Sequence, residues 1–208
     1  HDDRTMEPIH GQAFLAGRSL ERKGRNMLNL FKPAPSAPPI TDSQLVRQSY
    51  RYWQTRILYT SLIGYALFYL LRKNLSLAMP VMETSMGIGK DSLGLFLTLN
   101  GLLYGLSKFT NGMLGDRTNP RYFMALGLFL SAVANLAFGF SSAVWILGII
   151  WMLNGWFQGM GFPPCARSLT HWFAADERAT RFAIWNTSHS VGTAAVLILC
   201  STLIAYGY

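Results

Sequence analysis

Charged residues are scarce in this chain, and acidic residues are absent from its long apolar stretches. Only 13% of its 208 residues are charged, which is about half the fraction of an ordinary soluble domain. Cysteine is rarer still, because Cys165 and Cys200 are the only two and both lie in apolar segments. They give no indication of a disulfide framework. The composition argues against a soluble domain and favours a membrane protein.

Positive charge is concentrated at the N-terminal end. Residues 1–56 hold nine of the 18 Lys and Arg, and the formal net charge is +8. These basic residues are not interleaved in a folded basic module, so the pattern argues against a nucleic-acid partner. We expect residues 1–50 to form a basic, Pro-containing, largely disordered segment in the cytoplasm. We place its natural start at Met27 and residues 43–56 at the membrane surface.

Five apolar stretches are each long enough to cross the roughly 30 Å hydrocarbon core, which needs about 20 helical residues. Within residues 51–208, the predicted spans cover about 57–82, 92–115, 122–141, 143–166 and 181–206. Lys and Arg concentrate in alternate loops, so the N-terminus and the loops after the second and fourth spans are expected in the cytoplasm. The odd number of spans and the end at Tyr208 indicate a fragment.

Cationic side chains lie inside these spans, although a charge at the centre of a bilayer costs a few kcal/mol or more. Arg72 is near the middle of the first span, and i, i+4, i+7 spacing places Tyr65 and Tyr69 on its helix face. Arg72 either pairs with polar groups of a neighbouring helix or binds a ligand, and the second interpretation is favoured. Lys73 points about 100° away, and we interpret it as a structural residue.

Polar stripes also occur in later spans. They contain Asn100, Tyr104 and Lys108 in the second span, and Asn186, His189 and Thr193 in the fifth. Lys108 either extends to the membrane interface or faces a ligand, and His189 is either a hydrogen-bonded structural residue or a ligand contact. In the fourth span, the i, i+4 pair Asn154 and Gln158 is interpreted as a helix–helix contact.

Arg72, Lys108 and His189 are cationic or can become so, and no acid inside the five spans neutralises them. Three such donors converging on a cavity predict an anionic ligand. Phosphate is suitable, because Arg offers a planar fork of donors and Lys a compact point charge. The sequence contains no nucleophile–base pair, metal-ligand cluster or glycine-rich phosphate loop. It therefore predicts neither an enzyme nor a metal or cofactor site.

The loop GMLGDRTNPRYF, from Gly112 to Phe123, joins the second and third spans. Asp116, Arg117 and Arg121 place one acid and two bases at the ends of these helices. Asp116 either pairs with a base or caps a helix N-terminus. The cluster is either a latch in an element that opens and closes or a solvated turn.

The same loop resembles the signature between helices two and three of the major facilitator superfamily, with Asn119 where a glycine is common. Further segments resemble, in this order, the organophosphate:inorganic phosphate antiporters. That group includes glycerol-3-phosphate and hexose-6-phosphate transporters and a hexose-phosphate sensor. The matching segments are GYALFYLLRKN, YGLSKF, GDRTNPR, GWFQGMGFPPCAR and WNTSHSVG. The resemblance covers about residues 45–208.

The resemblance implies a twelve-helix protein of the inner membrane, with substrate bound between two six-helix bundles near the midplane. This chain would be the N-terminal bundle, truncated after about five transmembrane helices and lacking the C-terminal half. The phosphate-binding role falls on Arg72, and pocket roles fall on Tyr65, Tyr69, Tyr104, Lys108 and His189.

The function implied by the resemblance is transport by alternating access. A phosphorylated metabolite, either glycerol-3-phosphate or a hexose phosphate, is exchanged for inorganic phosphate. The alternative is a membrane sensor of sugar phosphates that has little transport activity and signals to a histidine kinase. In both cases the partners are a phosphorylated small molecule and the lipid bilayer.

Overall fold

Seven helices make up the part of the chain that the computed structural model describes, which is residues 31–32 and 41–206. They are α1 (Ser43–Met86), α2 (Lys90–Asp116), α3 (Pro120–Gly139), α4 (Val144–Gln158), α5 (Phe162–Trp172), α6 (Ala175–Asn186) and α7 (Ser188–Ala205). No strand occurs among these residues. The predicted all-α fold class is confirmed.

Local sequence determines where the helices begin and end. The Asp42 carboxylate caps α1 by accepting the backbone N–H of Gln44 at 2.8 Å. Gly87 ends the same helix with φ at 65°, a left-handed conformation that glycine adopts without steric cost. Asn119 caps α3 by accepting the N–H of Arg121 at 3.1 Å. Short polar side chains and glycine are the residues expected at these positions.

Two of the predicted spans are not single helices. The stretch predicted at 143–166 is divided between α4 and α5, with residues 159–161 between them. Pro163 and Pro164 follow at once, and proline has no N–H to donate to carbonyl groups of the preceding turn. The stretch predicted at 181–206 begins inside α6 and continues through α7 after a turn at Thr187. The bilayer boundaries of all five spans stay predictions.

The predicted N-terminal segment, residues 1–50 with a start at Met27, falls mostly outside the described residues. Its last part, residues 43–50, forms the first turns of α1. The Tyr50 hydroxyl donates to the backbone carbonyl of Trp172 at 2.7 Å, and the two rings stack with centroids 5.7 Å apart. These contacts attach the beginning of α1 to the end of α5.

Small residues permit the closest helix contacts. Helix α1 packs along α7, and α4 packs against both α2 and α3. A Cβ atom on Gly192 of α7 would lie far inside van der Waals distance of the Ala66 carbonyl oxygen in α1. A Cβ atom on Gly159 would overlap the Ser107 hydroxyl in α2. Such backbone approach is typical of helices that pack in lipid, where apolar surface alone does not drive association.

Large apolar side chains cover the outside of the bundle. Phe140 and Trp145 are 92% and 85% exposed, and many Leu and Ile residues of α2 and α7 are also exposed. A water-soluble bundle would present polar residues on this surface. By length and composition, the stretches Pro120–Gly139 and Ala175–Ala205 are apolar enough to cross a membrane. The exposed surface is therefore suited to lipid.

We predict that Gly192→Ala destabilises the bundle by about 1–3 kcal/mol, because the added methyl group forces α7 away from the α1 backbone. Gly105→Ala in α2 is the matched control, since its Cβ atom would meet nothing within 4 Å. The measurement is thermal unfolding of the full-length protein in detergent. Equal unfolding temperatures for the two variants would contradict the close α1–α7 contact.

Candidate anion-binding site

Arg72 reaches the interior of the bundle. Its Nε donates to Oε1 of Gln158 in α4 at 3.2 Å, and Gln158 is only 1% exposed. The terminal nitrogen Nη2 is buried and has no hydrogen-bond partner among the described residues. A buried charged donor without an acceptor is costly. The arrangement is therefore suited to a ligand that supplies acceptor oxygens.

Arg72 and Lys108 share the aromatic ring of Tyr104. Cζ of Arg72 lies 4.0 Å from the ring centroid, and Nζ of Lys108 lies 4.6 Å from it. Arg72 also contacts Tyr69 at 4.9 Å, and Lys108 contacts Phe162 at 4.7 Å. Aromatic faces attract cations but carry no net charge, so both positive charges stay uncompensated. This geometry favours the ligand-facing interpretation of Lys108 over extension to the membrane interface.

His189 lies beside two of the predicted tyrosines. Its ring centroid is 4.4 Å from that of Tyr69 and 5.1 Å from that of Tyr65. Nδ1 is 2.7 Å from the backbone carbonyl oxygen of Asn186. Because a carbonyl oxygen only accepts, Nδ1 carries the proton in this contact. Nε2 is therefore the nitrogen left to interact with a ligand, as an acceptor when the ring is neutral and as a donor when it is charged.

The site contains positive charge without a matching acid. Within residues 31–32 and 41–206, the ion pairs join Glu83 to Lys90 and Glu177 to Arg181, and neither involves Arg72 or Lys108. The same residues contain no group of three His, Cys, Asp or Glu side chains placed to hold a metal ion. Two cations, tyrosine rings and a histidine can bind an anion, and phosphate and carboxylate have the acceptor oxygens required.

The side chains of the adjacent basic residues Arg72 and Lys73 lie on different sides of α1. Lys73 is exposed on the outside of α1, whereas Arg72 contacts Gln158 and Tyr104 inside the bundle. The difference follows from the rotation of about 100° between successive helical residues. The structure thus supports assigning ligand binding to Arg72 rather than to Lys73.

Two aromatic residues of the site were not singled out from the sequence. Trp185 is 2% exposed, and its ring centroid lies 4.7 Å from that of Tyr65 and 6.0 Å from that of His189. Its i, i+4 spacing to His189 is a signal that could have identified it. Phe162 contacts Lys108 but follows the break between α4 and α5, where helical periodicity gives no guidance. Gln158 was interpreted only as a helix–helix contact.

The four loop residues Gly112, Asp116, Arg117 and Arg121 belong to a different region. Gly112 and Asp116 line an open surface groove of about 520 Å³. Asp116 is exposed at the end of α2 and forms no ion pair with a described residue. Asn119 caps α3 in its place. Arg117 is exposed, and the Arg121 guanidinium lies 5.3 Å from the ring centroid of Trp53 in α1.

Arg167 of α5 holds this loop and was not identified from the sequence. Its Nη1 donates to the backbone carbonyl of Gly115 at 2.8 Å and to that of Thr118 at 3.1 Å. These carbonyl groups lie at and just beyond the C-terminus of α2, where intrahelical partners are lacking. An isolated basic residue in a different helix gave no sequence signal for this contact.

The profile of the Major Facilitator Superfamily matches residues 61–208. The chain belongs to this superfamily. The predicted resemblance and the predicted N-terminal helical bundle are therefore confirmed, and the chain is part of a multi-pass membrane protein.

Several proteins of known name align with most of this chain. It is 42% identical over 177 residues to the "Probable hexose phosphate transport protein" of Chlamydia trachomatis, covering 85% of the chain and 39% of the relative. It is 44% identical to the "Membrane sensor protein UhpC" of Salmonella typhimurium (88% and 41% coverage). It is 46% identical to the "Glycerol-3-phosphate transporter" of Bacillus subtilis (80% and 38%).

The superfamily member spans about 40% of the length of these relatives. They are named as transport or sensor proteins and not as enzymes, in agreement with the prediction that the chain is not an enzyme.

We predict that Arg72→Lys weakens the binding of inorganic phosphate about ten- to hundred-fold, measured as Kd in the full-length protein. Lysine keeps the charge but removes the planar fork, and each charge-assisted hydrogen bond contributes about 1.5–3 kcal/mol. The control is Lys73→Gln, which removes a charge on the outside of α1 and is expected to leave Kd within about three-fold. Near-normal binding by Arg72→Lys together with loss of binding by Lys73→Gln would reverse the assignment.

We predict that Arg167→Met loosens the loop between α2 and α3. Amide hydrogen exchange of the peptide covering residues 115–119 is expected to become about ten-fold faster, because the bonds to the two carbonyl groups are lost. Arg117→Met removes the same charge from an exposed side chain and serves as the control. Equal exchange rates in both variants would show that Arg167 does not hold the loop.

Proposed function

We propose that the full-length protein exchanges a small phosphorylated metabolite for inorganic phosphate by alternating access. The observation that carries this proposal is the group of uncompensated donors around Tyr104. The buried Nη2 of Arg72 has no hydrogen-bond partner among residues 31–32 and 41–206, and the Lys108 ammonium lies against the Tyr104 ring that Arg72 also contacts. A phosphate group supplies the oxygens and the negative charge that both side chains lack.

The chemistry of the site is consistent with exchange rather than with a reaction. Every described side chain of the site binds, stacks or positions, and none forms a nucleophile–base pair. An anion bound between two bundles near the midplane is the arrangement that alternating access requires. The names of the relatives support a glycerol phosphate or hexose phosphate as the organic substrate.

The topology is part of the proposal. The N-terminus and the loops after α2 and α5 lie in the cytoplasm, because Lys and Arg are concentrated there. A second helical bundle, which the greater length of the relatives supports, closes the site opposite α1. The whole protein then lies in the inner membrane with its substrate between the two halves.

A sugar-phosphate sensor is the second candidate, because one relative with 44% identity is named a membrane sensor protein. A sensor needs the same phosphate site but little exchange. A histidine kinase would then be its signalling partner. The transporter and the sensor differ in the rate of phosphate exchange across the membrane and not in the residues that bind the phosphate group.

Transport is tested with the full-length protein in proteoliposomes loaded with inorganic phosphate. External labelled phosphate is expected to enter by exchange, and glycerol-3-phosphate or a hexose phosphate is expected to compete. Arg72→Ala, reconstituted at equal abundance, is the inactive control. Saturable binding of a phosphorylated sugar without exchange would favour the sensor, and absence of both binding and exchange would refute the phosphate site.

A further inference from the structure

A chain of buried polar side chains leads away from Arg72 across α4 and α3. Gln158 accepts from Arg72 and donates through Nε2 to Oγ of Ser131 at 2.6 Å. Ser131 in turn donates its hydroxyl hydrogen to Oδ1 of Asn154. Ser131, Asn154 and Gln158 are 0%, 1% and 1% exposed. Buried polar groups of this kind stabilise a structure only when each has its partner.

The direction of these hydrogen bonds determines what Gln158 presents to Arg72. The single hydroxyl hydrogen of Ser131 is used by Asn154, which leaves only a lone pair for Gln158. Gln158 must therefore turn its NH₂ group toward Ser131. Its carbonyl oxygen is then the atom that faces the guanidinium, as required to accept from Nε. The acceptor for Arg72 is thus oriented by Ser131 and Asn154, which are hydrogen-bonded to Gln158 and to each other.

The same group of side chains also holds the backbone next to Arg72. Nδ2 of Asn135 and Nδ2 of Asn154 donate to the carbonyl oxygen of Leu71, at 3.1 Å and 3.4 Å. Asn135 is itself fixed by a 2.8 Å bond to the carbonyl of Ser131. Helices α3 and α4 therefore restrain α1 at the Leu71 carbonyl, and α4 also restrains Nε of Arg72.

These contacts leave the end of the guanidinium that carries its terminal nitrogens available to a ligand. Nε is occupied by Gln158, whose Oε1 accepts from it at 3.2 Å. The stacked Tyr104 ring, 4.0 Å from Cζ, restricts rotation of the plane. Of the two terminal nitrogens at the other end of the guanidinium, Nη2 is buried and has no hydrogen-bond partner among the described residues.

We propose that Gln158, Ser131, Asn154 and Asn135 are positioning residues that orient Arg72 so that its two terminal nitrogens bind the anion end-on. The proposal deepens the phosphate-binding function and rests on it. Gln158 and its three supporters do not contact the ligand in this scheme. They act through the orientation of the planar guanidinium, so their effect requires an arginine at position 72.

A double-mutant cycle tests this dependence with the Kd of inorganic phosphate in the full-length protein. Gln158→Leu is expected to weaken binding about ten-fold, and Arg72→Lys more strongly. When residue 72 is already lysine, Gln158→Leu is expected to raise the Kd by less than about a further three-fold, because lysine has no planar fork to orient. Two effects that multiply would overturn the proposal, since a purely structural role of Gln158 does not depend on residue 72.

Two further variants keep the test decisive if Gln158→Leu folds poorly. Ser131→Ala removes the acceptor of the Gln158 NH₂ group, so phosphate binding is expected to weaken about five-fold with arginine at position 72 and less than about two-fold with lysine there. An equal effect in both backgrounds would overturn the proposal. The control is Asn100→Leu. It removes the hydrogen bond that the Asn100 side-chain amide of α2 donates to the Trp151 carbonyl of α4 at 2.7 Å, and it is expected to leave the Kd of phosphate within about three-fold.

The cycle also separates this proposal from the function on which it rests. If the wild-type protein binds no inorganic phosphate, the phosphate site itself is refuted, and if Arg72→Lys binds phosphate normally, the role of Arg72 in that site is refuted. If Arg72→Lys binds weakly and the Gln158 effect is unchanged in its presence, the site stands and only the positioning role is refuted.

Discussion

The positive charge of Arg72 has to be accommodated inside a bundle whose interior is otherwise largely apolar. Water would normally stabilise such a charge, and a carboxylate would be the usual substitute. Here the substitutes are weaker: the faces of Tyr69 and Tyr104 and one amide oxygen of Gln158. They hold the guanidinium in place and leave its charge uncompensated. The anion binding that we propose rests on this incomplete compensation.

The close packing of α1 and α7 brings the histidine to the same site. Gly192 lies three residues after His189, on the next turn of α7, and approaches the backbone of Ala66 and the Cβ of Tyr69. With no side chain at this position, the two helices come close enough for the His189 and Tyr69 rings to lie 4.4 Å apart. A packing residue outside the pocket thus determines which groups share it.

The sequence predicted which candidate site residues lie together on one face of a single helix. Tyr65, Tyr69 and Arg72 share a face of α1 because helical rotation fixes their relative directions, and the same holds for Tyr104 and Lys108. Contacts between helices could not be predicted in this way. Periodicity identifies Gln158 as a polar residue of α4, but it does not show that α1 supplies its partner.

The helix ends show a second limit of sequence interpretation. Average hydrophobicity merged α4 and α5 into one span, although the glycines at 159 and 161 and the two prolines after them signalled a break. In the loop that follows α2, Asp116 was considered as a cap because of its charge, whereas Asn119 caps α3. Which of several neighbouring polar residues caps a helix depends on local backbone geometry, and composition alone does not predict it.

The directional hydrogen bonds between Gln158, Ser131 and Asn154 have a consequence for how this sequence can change over time. Replacing one of the three by an apolar residue leaves the next with a buried, unsatisfied group. Replacing them together leaves no unsatisfied group among the three, but it deprives Nε of Arg72 of its acceptor. Positions 131, 154 and 158 are therefore expected to vary as a block among descendants of a common ancestor, and an arginine at position 72 is expected to accompany the intact block.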